Sequence, residues 1–171
     1  MELNTPPKGV KIYSYPNEVD DRGFFKRIVE LRDRESNDWD FSIASNPTKH
    51  TLRGLHFNKN LGRENKYVNV ISGSLLDVLV DMRPHEPTYL NWFSLTLTSS
   101  SNLTVYIPSG IAHGYITLED NTIISYVMDS PFNAQEYGRI RWNDPTIGIL
   151  WPFSPAIISK LDQEAEFLSL A

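Results

Sequence analysis

Within Thr51-Leu-Arg-Gly-Leu-His-Phe57 an arginine, a glycine and a histidine fall inside four positions, flanked by apolar residues. Arg53 offers a planar cation to an anion. An imidazole titrates near ~6.5, so His56 can accept a proton near neutral pH. Two readings of His56 stand together: a general base, or a structural histidine with its hydrogen bonds met. The remaining histidines are His50, His85 and His113. His113 follows Pro108-Ser-Gly-Ile-Ala into a strand and suits a pocket rim, whereas His85, in Arg-Pro-His-Glu-Pro, fits a loop. No two histidines pair at i,i+2 or i,i+4, so a metal would need a sequence-distant trio gathered by a barrel. Lys66 opens an apolar strand, where it either reaches for solvent or meets a developing oxyanion. Tyr126 lies between apolar neighbours and either packs or delivers a proton. Asp162 reads as a solvated carboxylate. There is no P-loop, dinucleotide fingerprint, nucleophile elbow or EF-hand.

The elements that must carry these groups are short strands. Residues 9–15 alternate, a polar turn is expected at 17–21, and strands are expected at 24–30, at 41–45 and around Arg53 and His56. Residues 66–71, the pair Ser72-Gly73 and residues 74–82 predict a strand, a tight turn and a strand. In the second of these Leu76, Val78, Val80 and Met82 share one face, and Asp77 and Asp81 share the other. A carboxylate between core strands needs a partner, because an unpaired buried charge is costly. Further strands fit 91–98, 103–107, 113–117 and 122–128. Residues 32–40 read as a polar surface loop anchored by Trp39. The only helical period lies at 159–170, through Ile158, Leu161, Ala165 and Leu168. Eight or more short strands with one terminal helix predict an all-β sandwich or small barrel, in one domain spanning 1–171.

At 171 residues, with 40% hydrophobic and 22% charged residues, the chain has a globular composition and room for a substantial core. No apolar run approaches the ~20 residues of a membrane span. The acidic start resembles no secretory signal, and without cysteine there is neither a disulfide framework nor a thiol nucleophile. A cytoplasmic protein with no membrane association is the expectation. A net charge of -5 argues against nucleic acid as a partner. Residues 1–66 hold 12 of the 16 Lys+Arg and sum to +2, against -7 for the rest. That asymmetry fits either a compact anion held by the first third or plain charge scatter.

The ordered set Asp21-Arg-Gly-Phe-Phe25, Leu52-Arg-Gly-Leu-His56, Lys66-Tyr-Val, Gly73, Asp77-Val, Asp81-Met-Arg83, Pro87-Thr88, Pro108-Ser-Gly-Ile-Ala-His-Gly114, Tyr126, Trp142-Asn-Asp-Pro145, Trp151-Pro152 and Ile158-Ser with Asp162 resembles the dTDP-4-dehydrorhamnose 3,5-epimerase family. The resemblance spans about residues 9 to 165. It implies a cupin-type double-stranded β-helix (jelly-roll) barrel with a short C-terminal helix, a homodimer, no metal, no cofactor, and a nucleoside-diphosphate 4-keto-6-deoxy sugar as substrate. It further implies that His56 removes a proton next to the 4-keto group, with Asp162, and Asp77 as a second candidate, holding its ring. Lys66 would meet the enolate oxygen and Tyr126 would reprotonate the carbon from the other face. Arg53 and His113 match positions facing the sugar and pyrophosphate, and Arg22, Phe25, Asp77 and Asn58 complete the implied substrate contacts.

Arg53 and His56 have opposite parity and would face opposite sides of a regular strand. For both to reach one pocket, Gly54 must carry a bulge or twist. Several positions depart from the family pattern. Arg27 and Tyr137 replace glutamates, Phe41 and Ile43 a pocket-wall Gln and Asn, Asn58 a Gln, and Phe132 a second tyrosine. A changed shell around an intact proton-transfer set points to another nucleotide or sugar, with dTDP the default. The lost second tyrosine favours inversion at a single carbon more than in a standard member, with C3, C5 or both left open. Two readings compete with an epimerase of surface-polysaccharide synthesis. One is a non-catalytic barrel that binds a nucleotide sugar. The other is a 3,4-ketoisomerase of the same fold, which tends to carry paired pocket histidines.

Overall fold

Apolar residues on both faces of the middle strands decide the architecture. The computed structural model describes residues 1–30, 39–60, 62–131 and 133–169. Its strands are β1 (Lys11–Ser14), β2 (Asn17–Asp20), β3 (Gly23–Lys26), β4 (Asp40–Asn46), β5 (Thr51–Asn58), β6 (Lys66–Ser72) and β7 (Ser74–Asp81). They continue as β8 (Trp92–Thr98), β9 (Leu103–Ile107), β10 (Ile111–Thr117), β11 (Thr122–Met128), β12 (Tyr137–Arg139) and β13 (Ile157–Ile158), before one helical turn, α1 (Lys160–Gln163). One sheet runs β1-β9-β6-β11-β4; the other runs β12-β5-β10-β7-β8, with β13 also beside β5. All pairs are antiparallel except β13 with β5. This is the cupin-type jelly roll that the resemblance implies.

Between the sheets lie Val68, Val70, Leu75, Leu79, Leu97, Val105, Ile107, Ile111, Tyr115 and Ile124. Each such side chain stabilises the fold by roughly 1.5–3 kcal/mol when fully buried. Behind the second sheet, Leu55, Val78, Val80, Met82 and Ala112 pack against Ile140 and Ile147 from the C-terminal segment. Sheet strands covered on both faces read as nearly continuous apolar runs, as β7 does. Trp39 packs with Val29 and Tyr13 onto Tyr67, Tyr106 and Val127, as an anchor should. The rest of its expected loop, residues 32–38, lies outside the described residues.

Four expectations change. The turn at Gly73 is present, but the strands it joins do not pair: β6 bonds β9 and β11, while β7 bonds β8 and β10. Gly73 instead carries the chain from one sheet to the other at φ +76, and a Cβ there would stand 2.5 Å from Thr122 Oγ1. Residues 17–20 form a strand rather than a turn, and pair with β3 in a separate hairpin. The Asp20 carboxylate closes that hairpin by accepting from the Arg22 backbone N–H at 2.8 Å. Phe41 and Ile43 are exposed and border none of the cavity that Arg53 and His56 share within this chain. They oppose Val127 and Ser125, so they share the outer face, while Ser42 and Ala44 share the inner face with Tyr126 and Ile124. Finally, the helix expected at 159–170 is a single turn. Beyond Gln163 the backbone is committed elsewhere: the Arg141 N–H donates to the Glu166 carbonyl at 3.2 Å, and the Leu168 N–H donates to Asp144 at 2.6 Å. Among the described residues, no helix is long and apolar enough to cross a membrane.

Candidate active site

The bulge demanded by parity sits where it was expected. On β10, His113 opposes His56 and Tyr115 opposes Arg53. Gly114 alone therefore faces both Gly54 and Leu55, two residues against one. Gly54 has φ +128, and a Cβ there would lie 2.5 Å from the Gly114 Cα; no other residue fits. The Gly54–Leu55 peptide bond is cis. With the ladder shifted at Gly54, Arg53 and His56 border one cavity of about 340 Å³, with Leu52, Arg139, Ile158 and Asp162.

Asp162 reaches this cavity because Ser159 caps α1, its hydroxyl accepting from the Asp162 N–H at 3.1 Å. The Asp162 carboxylate lies 2.7 Å from His56 Nε2 and receives the Gly54 N–H at 3.4 Å. Burial alone would raise the Asp162 carboxyl. The hydrogen bond and charge of His56, with the Gly54 and Ser159 bonds, outweigh it and hold the group below the usual carboxylate range. An ionised Asp162 accepts the Nε2 proton, which leaves the lone pair of a neutral His56 on Nδ1.

A second pair lies alongside. His113 Nε2 is 2.6 Å from Asp77 Oδ1, both residues are buried, and Asp77 Oδ2 has no hydrogen-bond partner among the described residues. Asp77 thus serves His113 and not His56, which corrects its proposed share in holding the base. Asp81 is partnered as well, by Arg83 at 2.7 Å and Thr88 at 2.6 Å. Directly opposed residues of antiparallel strands share a face, so His56 points inward with His113. Tyr126, on the facing sheet, meets the His113 ring edge-on at 6.1 Å. Burial, the neighbouring Tyr115 and the Asp77 charge push the Tyr126 phenol well above its ordinary value, against the pull of Arg53. It stays protonated, as an acid must.

Lys66 is buried and ion-paired with Glu64 at 2.8 Å. It shares the inner face with Val68, which opposes Tyr126. Arg53 is fixed by its Nε donating to Asn46 Oδ1 at 3.0 Å, and Asn46 also accepts from the Tyr115 phenol at 3.3 Å. Asn58 is not among the residues that border the cavity. Its amide donates to Glu136 at 3.3 Å and its carbonyl accepts the Asn60 N–H at 2.9 Å, so it holds a turn. Arg22 and Phe25 line a different cavity on the hairpin, with Glu18 and Asp20, and border none of the space around His56. Arg27 pairs with Glu30 at 3.6 Å. Phe132 lies outside the described residues. Among those residues, no three His, Asp or Glu side chains converge as metal ligands.

Sequence reading missed Arg139, Asn46 and Glu64. Arg139 opposes His56 across β12 and β5, and its Nε lies 3.5 Å from Asp162. Three residues of strand carry too little alternation to be seen. A fixed imidazole, a neutral phenol and a buried ammonium around one barrel are the equipment of an isomerase that moves protons on carbon.

The comparisons agree. The dTDP-4-dehydrorhamnose 3,5-epimerase family model matches residues 4–169, and the chain belongs to that family of isomerases. It is 35% identical over 149 residues to the dTDP-4-dehydrorhamnose 3,5-epimerase of Sinorhizobium fredii, covering 84% of this chain and 76% of that protein. The Salmonella typhimurium enzyme of the same name is 37% identical over 129 residues, covering 74% and 70%. The crystal structure of the Bacillus anthracis enzyme with TDP and PPi bound superposes with a TM-score of 0.89 at 29% identity, over 97% and 98% of the two chains.

Proposed function

We propose that this protein is an epimerase inverting C3, C5 or both in a nucleoside-diphosphate 4-keto-6-deoxy sugar. The observation that carries the reading is the His56–Asp162 contact of 2.7 Å, opening on a cavity beside Arg53. The keto group acidifies the neighbouring C–H, His56 takes that proton, and Asp162 stabilises the imidazolium. Lys66 meets the charge that develops on the enolate oxygen, and Tyr126 returns a proton from the opposite face. Arg53 and His113 hold the sugar diphosphate. The substrate is a dTDP sugar or another nucleotide sugar of this type, and the reaction serves surface-polysaccharide synthesis in the cytoplasm. The chain acts as one domain in a homodimer. Exposed Val19, Phe24 and Phe25 on the β2–β3 hairpin support that assembly, and Arg22 and Phe25 reach substrate only if the hairpin of one protomer enters the partner's site.

A panel of dTDP-, UDP-, GDP- and CDP-4-keto-6-deoxy sugars followed by proton NMR in heavy water tests the reading. Deuterium at C3 or C5 with inversion supports it. A migrated carbonyl identifies a ketoisomerase, and saturable binding without exchange identifies a binding barrel.

A further inference from the structure

Lys66 does not stand alone. Glu64, two residues upstream, is buried with a φ of +68, a left-handed conformation that a side-chain-bearing residue adopts only at a cost. Its Oε1 lies 2.8 Å from Lys66 Nζ. The Tyr137 phenol donates to Oε2 at 2.6 Å, and the Tyr137 ring lies under the ammonium, 5.7 Å from Nζ to the ring centre. Burial and the Glu64 carboxylate together push that phenol upward, so it remains a donor. The backbone around Glu64 is fixed on its far side: Asn65 takes Asp129 through its N–H at 2.7 Å and receives the Ser109 N–H at 3.0 Å.

An ammonium on a four-carbon stem has many rotamers, and freezing it costs conformational entropy. Buried without a partner it would be far more costly. A carboxylate pinned on one side by a phenol and on the other by a rigid turn meets both costs before substrate arrives. We propose that Glu64 and Tyr137 are positioning residues for the reaction, holding the Lys66 ammonium at the place where oxygen charge develops. The inference rests on the proposed role of Lys66. It assigns the task to a residue in the loop before β6 and to the tyrosine of β12, neither of which touches the reacting atoms.

Because the Lys66 contact strengthens as charge appears on the oxygen, misplacing the ammonium lowers kcat and leaves KM nearly unchanged. The experiment measures deuterium exchange and turnover of a 4-keto-6-deoxy sugar nucleotide by wild type, Glu64→Gln, Tyr137→Phe, Lys66→Met and the two double variants with Lys66→Met, each normalised to folded protein. Glu64→Gln is expected to lower kcat by about 10–100-fold, and Tyr137→Phe, which keeps the ion pair and hence the fold, by about 3–10-fold. Neither should slow turnover further in the Lys66→Met background, because residues acting through one group are not additive. Unchanged kcat in both folded single variants overturns the inference, as does a loss that persists without Lys66. Wild-type protein that exchanges no deuterium with any ketosugar overturns the underlying reading and the inference with it, whereas an active wild type with indifferent variants overturns the inference alone.

Discussion

Two histidine–carboxylate pairs stand side by side in this barrel, built from the same groups at nearly the same separation, 2.7 Å for His56–Asp162 and 2.6 Å for His113–Asp77. Their surroundings differ. The His56 side chain is 30% exposed and borders a cavity, whereas that of His113 is 6% exposed and packs against tyrosines. Asp162 arrives on a one-turn helix from the end of the chain, while Asp77 sits mid-strand in the core. A dyad works as a base only if its free nitrogen can meet substrate. In the proposed reaction the first pair is therefore the base, while the second is buried beside Tyr126 on the inner face.

That contrast can be broken by substitution. The largest effect is expected at the proton carriers, where His56→Asn or Tyr126→Phe should lower kcat by about 10²–10⁴-fold in steady-state assays, with the fold intact by circular dichroism. Asp162→Asn should follow, at about 10²-fold, because the amide cannot accept the Nε2 proton while stabilising the imidazolium. Asp77→Asn should do the reverse of these. It is expected to cost about 1–3 kcal/mol in denaturant unfolding and to change kcat less than Asp162→Asn does. The smallest effect is in acid. Asp162 has a folded value held below its unfolded one near ~3.9. Its contribution to stability is thus fully present above that pH and is lost as pH falls through the lower folded value. The stability gap between wild type and Asp162→Asn should be flat from pH ~5 upward and close below pH ~4; a gap that widens in acid contradicts the assigned ion pair.

The part of the site legible in the sequence is the part that backbone rules govern. Arg53 and His56 have opposite parity, so a common pocket forced a bulge at Gly54, and the ladder slips there. Asp77 and Asp81, on the charged face of an apolar strand, had to find partners, and both did. What stayed hidden depends on contacts distant in sequence. Nothing local distinguishes Gly73 as a corner between sheets from a hairpin turn, since the same left-handed φ serves both. The apolar spacing over 159–170 is real, but Leu168 is tied by Asp144 into the segment behind the second sheet rather than into a helix. Arg139, Glu64 and Tyr137 acquire meaning only when β12 is laid against β5. The family resemblance named His56 and Tyr126, which the fold sets on facing sheets, but it gave no sign that Asn58 is tied to Glu136 and Asn60 or that Phe41 and Ile43 are exposed on this chain.

The most direct test compares the two histidines in one experiment. Wild type, His56→Asn and His113→Asn are incubated in heavy water with a 4-keto-6-deoxy sugar nucleotide that the wild type turns over, and isotope entry at each ring carbon is followed by NMR. The structure predicts label entering with inversion in the wild type, slower but measurable entry in His113→Asn, and essentially none in His56→Asn. Wild-type rates of labelling in His56→Asn, or abolition in His113→Asn alone, would show that the buried pair is the base and contradict the account.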